Sequence, residues 1–403
     1  MERNGPRIKR VRGRRLARRR AAIVGAGHTR FGLLNEGPRA LLRSATTRAF
    51  GAVDRGIEPS AVDEAFVATI GFSGWQLGNL SSVLAEEAGV VGAPVTRVEN
   101  ACASGGFALR AGARAIESGA ADIVLVVGVE KMSDSPSRRR RFWLGVSGDT
   151  EWERLAGLTF AGVYGLIASR HMAEYGTSRE ALAEVAVKNH ENGAKNPNAQ
   201  FRKPVSREQV LAAPRVADPL GLLDCCPVSD GAAALVLVAE EIAKRYTDTP
   251  VYLSGLGAGS DYLALQERAS LTSLAATKWA ADEAFHQAGF GRRAVGFLEV
   301  HDCFTIAELV ALEDLGFAEP GQAAGMTLSG ATRLGGALPV NPDGGLKAKG
   351  HPIGATGASQ AYEVFQQLRN SAGERQVKGA ERALAHNVGG SGASAAVTLF
   401  SVE

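Results

Sequence analysis

Residues 98–119, VENACASGGFALRAGARAIESG, end a short apolar run at Cys102 and pass through Ala103, Ser104, Gly105 and Gly106 into a helical pattern. A sulfur at the mouth of a helix meets unpaired backbone N–H groups and the positive end of the helix dipole. Both favour a thiolate. Cys102 is therefore a candidate nucleophile. A small buried residue filling a tight strand-to-helix turn would leave the same trace, so the choice rests on partners elsewhere in the chain.

Three later segments carry such partners: EVHDCF at 299–304, GLKAKGHPIGATG at 345–357 and HNVGGSG at 386–392. They contribute two further imidazoles, His301 and His351, and a second thiol, Cys303. His386, Asn387 and Gly389 lie in the last segment. Thiols and imidazoles are residue types that serve nucleophilic and acid–base chemistry. Of the other thiols, Cys225 and Cys226 precede Pro227 and the turn SDGAAA, which reads as core packing near a lid.

The elements that must position these groups alternate. AAIVGAGH from residue 21 reads as a buried strand, followed by a helix at 38–56, the strand EAFVATIG, a helix at 79–89 and the strand leading to Cys102. The helix after Cys102 is apolar nearly all round, and DIVLVVGVEKM at 122–132 is a buried strand. From 133 to 230 the alternation stops. That insertion holds the run Arg138, Arg139, Arg140 and Arg141 and two helical patterns, at 158–175 and 179–195, and is expected to carry the lid of a substrate site. The arginines are either a solvated face or ligands for phosphates of a nucleotide-bearing substrate. Alternation resumes at 251 and mirrors the first part, with HPIGATGASQAYEVF in the place of ACASGGFALRAGARA. A duplicated unit would bring both small-residue turns to one end of the sheet, where ligands bind. The expected units are 1–20, a basic extension; 21–250, a first half with the insertion; and 251–403, a second half.

Composition limits the alternatives. With 45% hydrophobic and 22% charged residues, the 403-residue chain suits a large α/β protein. No apolar run approaches the roughly 20 residues that span a bilayer, so no membrane association is expected. Four cysteines without CxxC spacing favour reduced thiols in a cytoplasmic setting, and neither a disulfide nor a metal centre is expected. Residues 1–20 hold ten Lys/Arg and one acid, whereas the rest has net charge −6. The mildly acidic body argues against a nucleic-acid partner. The basic segment reads as a disordered extension, with a nucleic-acid or transit segment as the alternatives.

Together the four motifs resemble the thiolase superfamily, over essentially everything from about 21 to 403. The HDCF and HNVGG variants look most like the archaeal-type acetoacetyl-CoA thiolases and the sterol-carrier-protein-type thiolases. The resemblance implies two pseudo-duplicated βαβαβαββ halves in a five-layered αβαβα fold, and acetyl-CoA C-acetyltransferase chemistry through an acyl-Cys102 intermediate. It further implies that His351 takes the proton of Cys102 and that His301 shares an oxyanion hole with His351. Gly389 and Cys102 would offer backbone N–H groups to the acyl-enzyme oxyanion. The late CxG cysteine of the common pattern is absent, its place falling at or beside Asn387, so Cys303 is expected to transfer the α-carbon proton. His386 would orient neighbours or cap a strand. Coenzyme A thioesters are substrates and no cofactor is implied. Implied partners are further copies of the chain, as dimer or tetramer, and a hydroxymethylglutaryl-CoA synthase with a small zinc-ribbon and oligonucleotide-fold scaffold. The alternatives are a degradative thiolase for longer 3-ketoacyl-CoA, an acyltransferase with a non-CoA acceptor, and a non-catalytic channelling subunit.

Overall fold

The computed structural model describes residues 19–71 and 78–403. The basic extension therefore lies outside the described residues except for Arg19, which pairs with Asp122 and Glu241, and Arg20, which pairs with Glu240. In chain order the first part runs β1 (Ala21–His28), α1 (Pro38–Gly51), β2 (Glu64–Ala68), α2 (Leu80–Ala88), β3 (Val95–Val98), α3 (Ser104–Glu117) and β4 (Ile123–Glu130). The insertion holds α4 (Ser137–Gly145), α5 (Phe160–Tyr175), α6 (Arg179–Ala194), α7 (Arg207–Leu211) and the short ribbon β5 (Arg215–Ala217) and β6 (Leu220–Gly221). It ends at β7 (Gly231–Ala239) and α8 (Glu240–Ala243). The remainder is β8 (Val251–Ser260), α9 (Ala275–Ala288), β9 (Phe297–Glu299), α10 (Thr305–Asp314), α11 (Ala323–Leu328), α12 (Gly345–Ala348), α13 (Thr356–Leu368), β10 (Arg382–Gly389) and β11 (Ser394–Ser401). The helix expected to reach residue 56 stops at Gly51, and the chain turns through Gly56 at φ +72°.

The strand order states the duplication. The first part pairs as β3-β2-β4-β7-β1, the second as β9-β10-β11-β8, and two pairs, Ala22↔Tyr252 and Ile23↔Val251, join them into one nine-stranded sheet. In both, the inner pairings are antiparallel and the outer ones parallel. The second part's counterpart of β3 has shrunk to a single parallel bridge, Leu298↔Val340.

Burial on both faces of the strands sets the layers, since successive side chains point opposite ways. Val124 and Val126 of β4 face a central cluster built on α3 and α13, whereas Leu125 and Val127 face α1 and α2. In β11, Ala395, Val397 and Leu399 face α9 and α10, and Phe400, beyond a register shift, faces the centre. The order is helices, the first part's strands, α3 with α13, the second part's strands, helices: the five-layered α/β arrangement that the resemblance implied. The insertion does not stand off from this body. Val163, Tyr164 and Ile167 of α5 and Leu182 and Val185 of α6 share a buried cluster with α10.

The two central helices cross with almost no space between them. A Cβ on Gly105 would lie 2.7 Å from the Gly357 nitrogen, and one on Gly357 would lie 2.1 Å from the Gly106 nitrogen and 2.5 Å from Asn387 Oδ1. Only residues without a Cβ fit there. Gly357→Ala is expected to destabilise the chain by about 1–3 kcal/mol. Gly291→Ala, where a Cβ meets nothing within 4 Å, should stay within about 0.5 kcal/mol of the parent. Calorimetric or denaturant unfolding of the two variants checks the difference.

Candidate active site

Cys102 stands just beyond the carboxyl end of β3, and His301 and Cys303 just beyond that of β9, the side where open α/β sheets bind ligands. Cys102 follows β3 and opens α3. The turn is strained, with Ala101 at φ +49°, a left-handed conformation disfavoured for residues with a side chain. Hydrogen bonds hold it there. Ser104 Oγ accepts from the Asn100 N–H at 2.9 Å and donates to the Ala101 carbonyl at 2.6 Å, and Glu99 accepts from the Ala101 N–H at 2.6 Å.

His301 and Cys303 lie between β9 and α10, and His351 lies between α12 and α13. Buried polar groups clamp these two segments together. Asp302 accepts from the backbone N–H groups of Leu346 at 2.6 Å and Lys347 at 3.2 Å and from Asn189 Nδ2 at 2.7 Å. Asn341 accepts from the Val300 N–H at 2.8 Å and donates to Glu308, which also takes Lys188 at 3.0 Å. Burial and the nearby Glu308 push the Asp302 carboxyl up to about 7. None of this web was legible in the sequence; the acids and amides carry no local spacing signal.

The sequence-distant groups converge. One donor atom each of Cys102, His301 and His351 lie within 4.8 Å of one another, and the two imidazole rings meet edge-on with centroids 5.1 Å apart. Cys303 shares with Cys102 and His351 a cavity of about 730 Å³. Beside Cys303 lies the hydroxyl of Tyr164, a residue only 2% exposed whose ring stacks on Phe304 at 4.7 Å. Met132, Ile353 and Val228 wall the cavity next to Cys102, and Cys225 and Cys226 line it as well, so this thiol pair borders the site and is not merely core. Sequence reading missed Tyr164; a tyrosine in a helical stretch announces nothing until the fold turns it inward.

Other expectations are sorted by position. Asn387, on the central face of β10, reaches the Cys102 turn, whereas His386 points the opposite way, its Nε2 meeting Thr277 of α9 at 2.9 Å. Backbone N–H groups of Gly390 and of Cys102 itself meet the Cys102 sulfur. Gly389 is paired with Ser394 inside the sheet. Of the arginine run, which forms α4, Arg138 and Arg141 line the cavity, joined by Arg154. Arg140 instead donates to the carbonyls of Ser133 and Ser135, and Arg139 is exposed away from the cavity lining.

Hydrogen bonds fix the protonation pattern of His351. Thr356 donates its hydroxyl hydrogen to the Pro352 carbonyl at 3.1 Å, and the same oxygen lies 2.6 Å from His351 Nδ1. With its hydrogen committed, that oxygen can only accept, so Nδ1 carries the imidazole hydrogen and Nε2 is left as a lone pair. Nε2 is buried without a partner among the described residues. Burial, with Lys349 nearby, pushes His351 down to about 3, and His301 is likewise held well below the usual imidazole range, first by burial.

The thiols run against the sequence expectation. Burial pushes Cys102 up to about 12, and the N–H groups of Gly390 and of Cys102 itself only partly offset it. Cys303 is raised well above the ordinary thiol range for the same reason. Removal from water outweighs the helix end. The resting site is therefore a neutral thiol beside a neutral imidazole that can accept its proton. Because the thiolate fraction grows with pH up to the raised value, alkylation of Cys102 by iodoacetamide should climb about tenfold per pH unit from pH 7 to 10. A plateau near pH 9 in the modified Cys102 peptide, followed by mass spectrometry, would contradict this.

Comparison with known proteins gives the arrangement its relatives. The family model described as "Thiolase, N-terminal domain" matches residues 21–241, and "Thiolase C-terminal domain-like" matches residues 257–402. An acetyl-CoA acetyltransferase of Methanothermobacter thermautotrophicus is 47% identical over 386 residues, 95% of this chain and 100% of that protein. Sterol carrier protein 2 of Gallus gallus is 35% identical, over 96% of this chain and 72% of that protein. Among solved structures, an Ltp2-ChsH2(DUF35) aldolase superposes with TM-score 0.83 at 25% identity, covering 95% of this chain and 98% of that one. With two family models spanning nearly all of its described length and its strained Cys102 turn facing two imidazoles and a second thiol, this chain belongs to the thiolase family.

Proposed function

We propose that the protein is an acetyl-CoA C-acetyltransferase, interconverting two acetyl-CoA with acetoacetyl-CoA and CoA. The observation that carries this reading is the convergence of Cys102, His301 and His351 within 4.8 Å, beside a cavity lined by Cys102, His351 and Cys303. The acetyl-CoA acetyltransferase of Methanocaldococcus jannaschii, 41% identical over 95% of this chain and 99% of its own length, supports it.

The geometry suits a two-stage reaction. Cys102 sulfur adds to the thioester carbonyl while its proton passes to His351 Nε2, the lone pair left free by the Thr356 contact. The backbone N–H groups of Cys102 and Gly390 face the new oxyanion. The thioester carbon–sulfur bond breaks, and the departing CoA sulfur takes the proton of Cys303. The acyl-enzyme then holds a protonated His351 and a Cys303 thiolate beside the Tyr164 hydroxyl. Cys303 removes a proton from the α-carbon of the second acetyl-CoA, whose oxygen faces His301 and His351. The resulting carbanion forms the carbon–carbon bond with the acyl group. Cys102 leaves and recovers its proton from His351, so all three groups return to their resting state. Apolar walls delay water from reaching the acyl-enzyme, and Arg138, Arg141 and Arg154 at the cavity offer guanidinium groups for the phosphates of CoA.

A second reading, thiolysis of longer 3-ketoacyl-CoA, draws on the cavity of about 730 Å³, ample for more than a two-carbon acyl group. The kcat/KM for acetoacetyl-CoA against a long-chain ketoacyl-CoA separates the two. Self-association, a cytoplasmic setting and assembly with a synthase through a small scaffold also belong to this proposal; the DUF35 partner of the aldolase neighbour supports the last of these. Co-purification that yields only copies of this chain would count against the scaffold.

Incubation with radiolabelled acetyl-CoA should acetylate Cys102, and Cys102→Ala should lose both label and turnover. Cys303→Ala should keep the label yet form acetoacetyl-CoA at least about 100-fold more slowly. An unlabelled parent protein would favour a non-catalytic channelling subunit instead.

A further inference from the structure

Asn387 stands where three groups of fixed chemistry meet. The backbone N–H of Gly106 donates to its Oδ1 at 3.0 Å, and its Nδ2 donates to the Cys102 carbonyl at 2.9 Å. A backbone N–H can only give and a carbonyl can only accept, so the amide has one orientation. That orientation has a consequence for the third neighbour, because Nδ2 also lies 3.2 Å from His301 Nδ1. His301 must meet it with a lone pair. A neutral imidazole with its lone pair on Nδ1 carries its hydrogen on Nε2, and Nε2 is the His301 nitrogen left buried and without a partner among the described residues.

The two edge-on histidines are thus opposites. Thr356 makes His351 an acceptor at Nε2, and the Asn387 amide makes His301 a donor at Nε2. Each is set by a side chain tied to backbone. The same assignment disposes of an alternative use of the site. Cys102, His301 and His351 lie close enough to suggest a metal centre, but a ligating nitrogen needs its lone pair, and His301 Nε2 holds a hydrogen instead.

We propose that Asn387 is a positioning residue that locks His301 in the Nε2–H tautomer, so that it donates a hydrogen bond to the oxygen of the second thioester as its α-carbon is deprotonated. This rests on the acyl-Cys102 reading above. Asn387 also anchors the first turn of α3 through Gly106, so one side chain ties the nucleophile's helix to the oxyanion donor.

The test is an ¹⁵N-imidazole NMR spectrum of the whole protein, with the His301 signals identified by their loss in His301→Gln. The parent should show His301 with its hydrogen on Nε2. Asn387→Asp, isosteric but offering only acceptors, should move the hydrogen to Nδ1 and lower kcat for condensation about 100-fold with KM little changed. A parent spectrum with Nδ1–H, or an Asn387→Asp spectrum still showing Nε2–H, overturns the proposal. Should Asn387→Asp fail to fold, Asn387→Ala is expected to show a mixture of tautomers, and Nε2–H alone in that variant also overturns it. If Cys102 fails to acetylate, the thiolase reading falls while the tautomer result stands, so the two failures are distinguishable.

Discussion

The backbones of α3 and α13 touch, and the candidate site depends on that contact. Gly105 on one helix and Gly357 on the other leave no room for a Cβ between them, so the helices cross at a single possible depth. Cys102 sits just before the first of these helices and His351 just before the second. Fixing the crossing fixes the distance between a sulfur and an imidazole that lie 249 residues apart in sequence. The sheets on either side reinforce it by burying both faces of nearly every strand, so that a shift of either helix would disturb two packed surfaces.

Burial has a second, electrostatic effect. Charged forms of all four central groups are disfavoured, which leaves two neutral thiols and two neutral imidazoles at rest. Such a site cannot rely on standing ion pairs. It relies on which atom holds each hydrogen, and neighbouring hydrogen bonds decide that: Thr356 to a backbone carbonyl on one side, Asn387 to a backbone carbonyl and a backbone N–H on the other. Low local polarity makes these few directed contacts more consequential than they would be in water.

The insertion works differently. Helices α5 and α6 are part of the core beside α10, yet α4 and α5 also lend Arg138, Arg141, Phe142 and Tyr164 to the cavity wall. One segment therefore completes the fold and shapes the opening through which a substrate must pass.

Much of this was legible in the chain itself. The alternation of apolar strands and helices and the mirrored turns after residues 102 and 351 state the α/β class and the duplication, and the four motifs single out Cys102, His301, Cys303 and His351 as candidates. These are local signals, set by period and by residue type, and they survive without coordinates. Tertiary structure alone decided the rest, because it turns on contacts between distant segments. The Cys102 thiol is not acidified by its helix, since burial wins. Gly390, one step beyond a strand's end, brings its N–H to the Cys102 sulfur. Only two of the four arginines in the run reach the cavity, because α4 turns the others elsewhere. And the opposite roles of two identical imidazoles follow from which backbone groups lie next to Thr356 and Asn387, which no reading of the sequence could place.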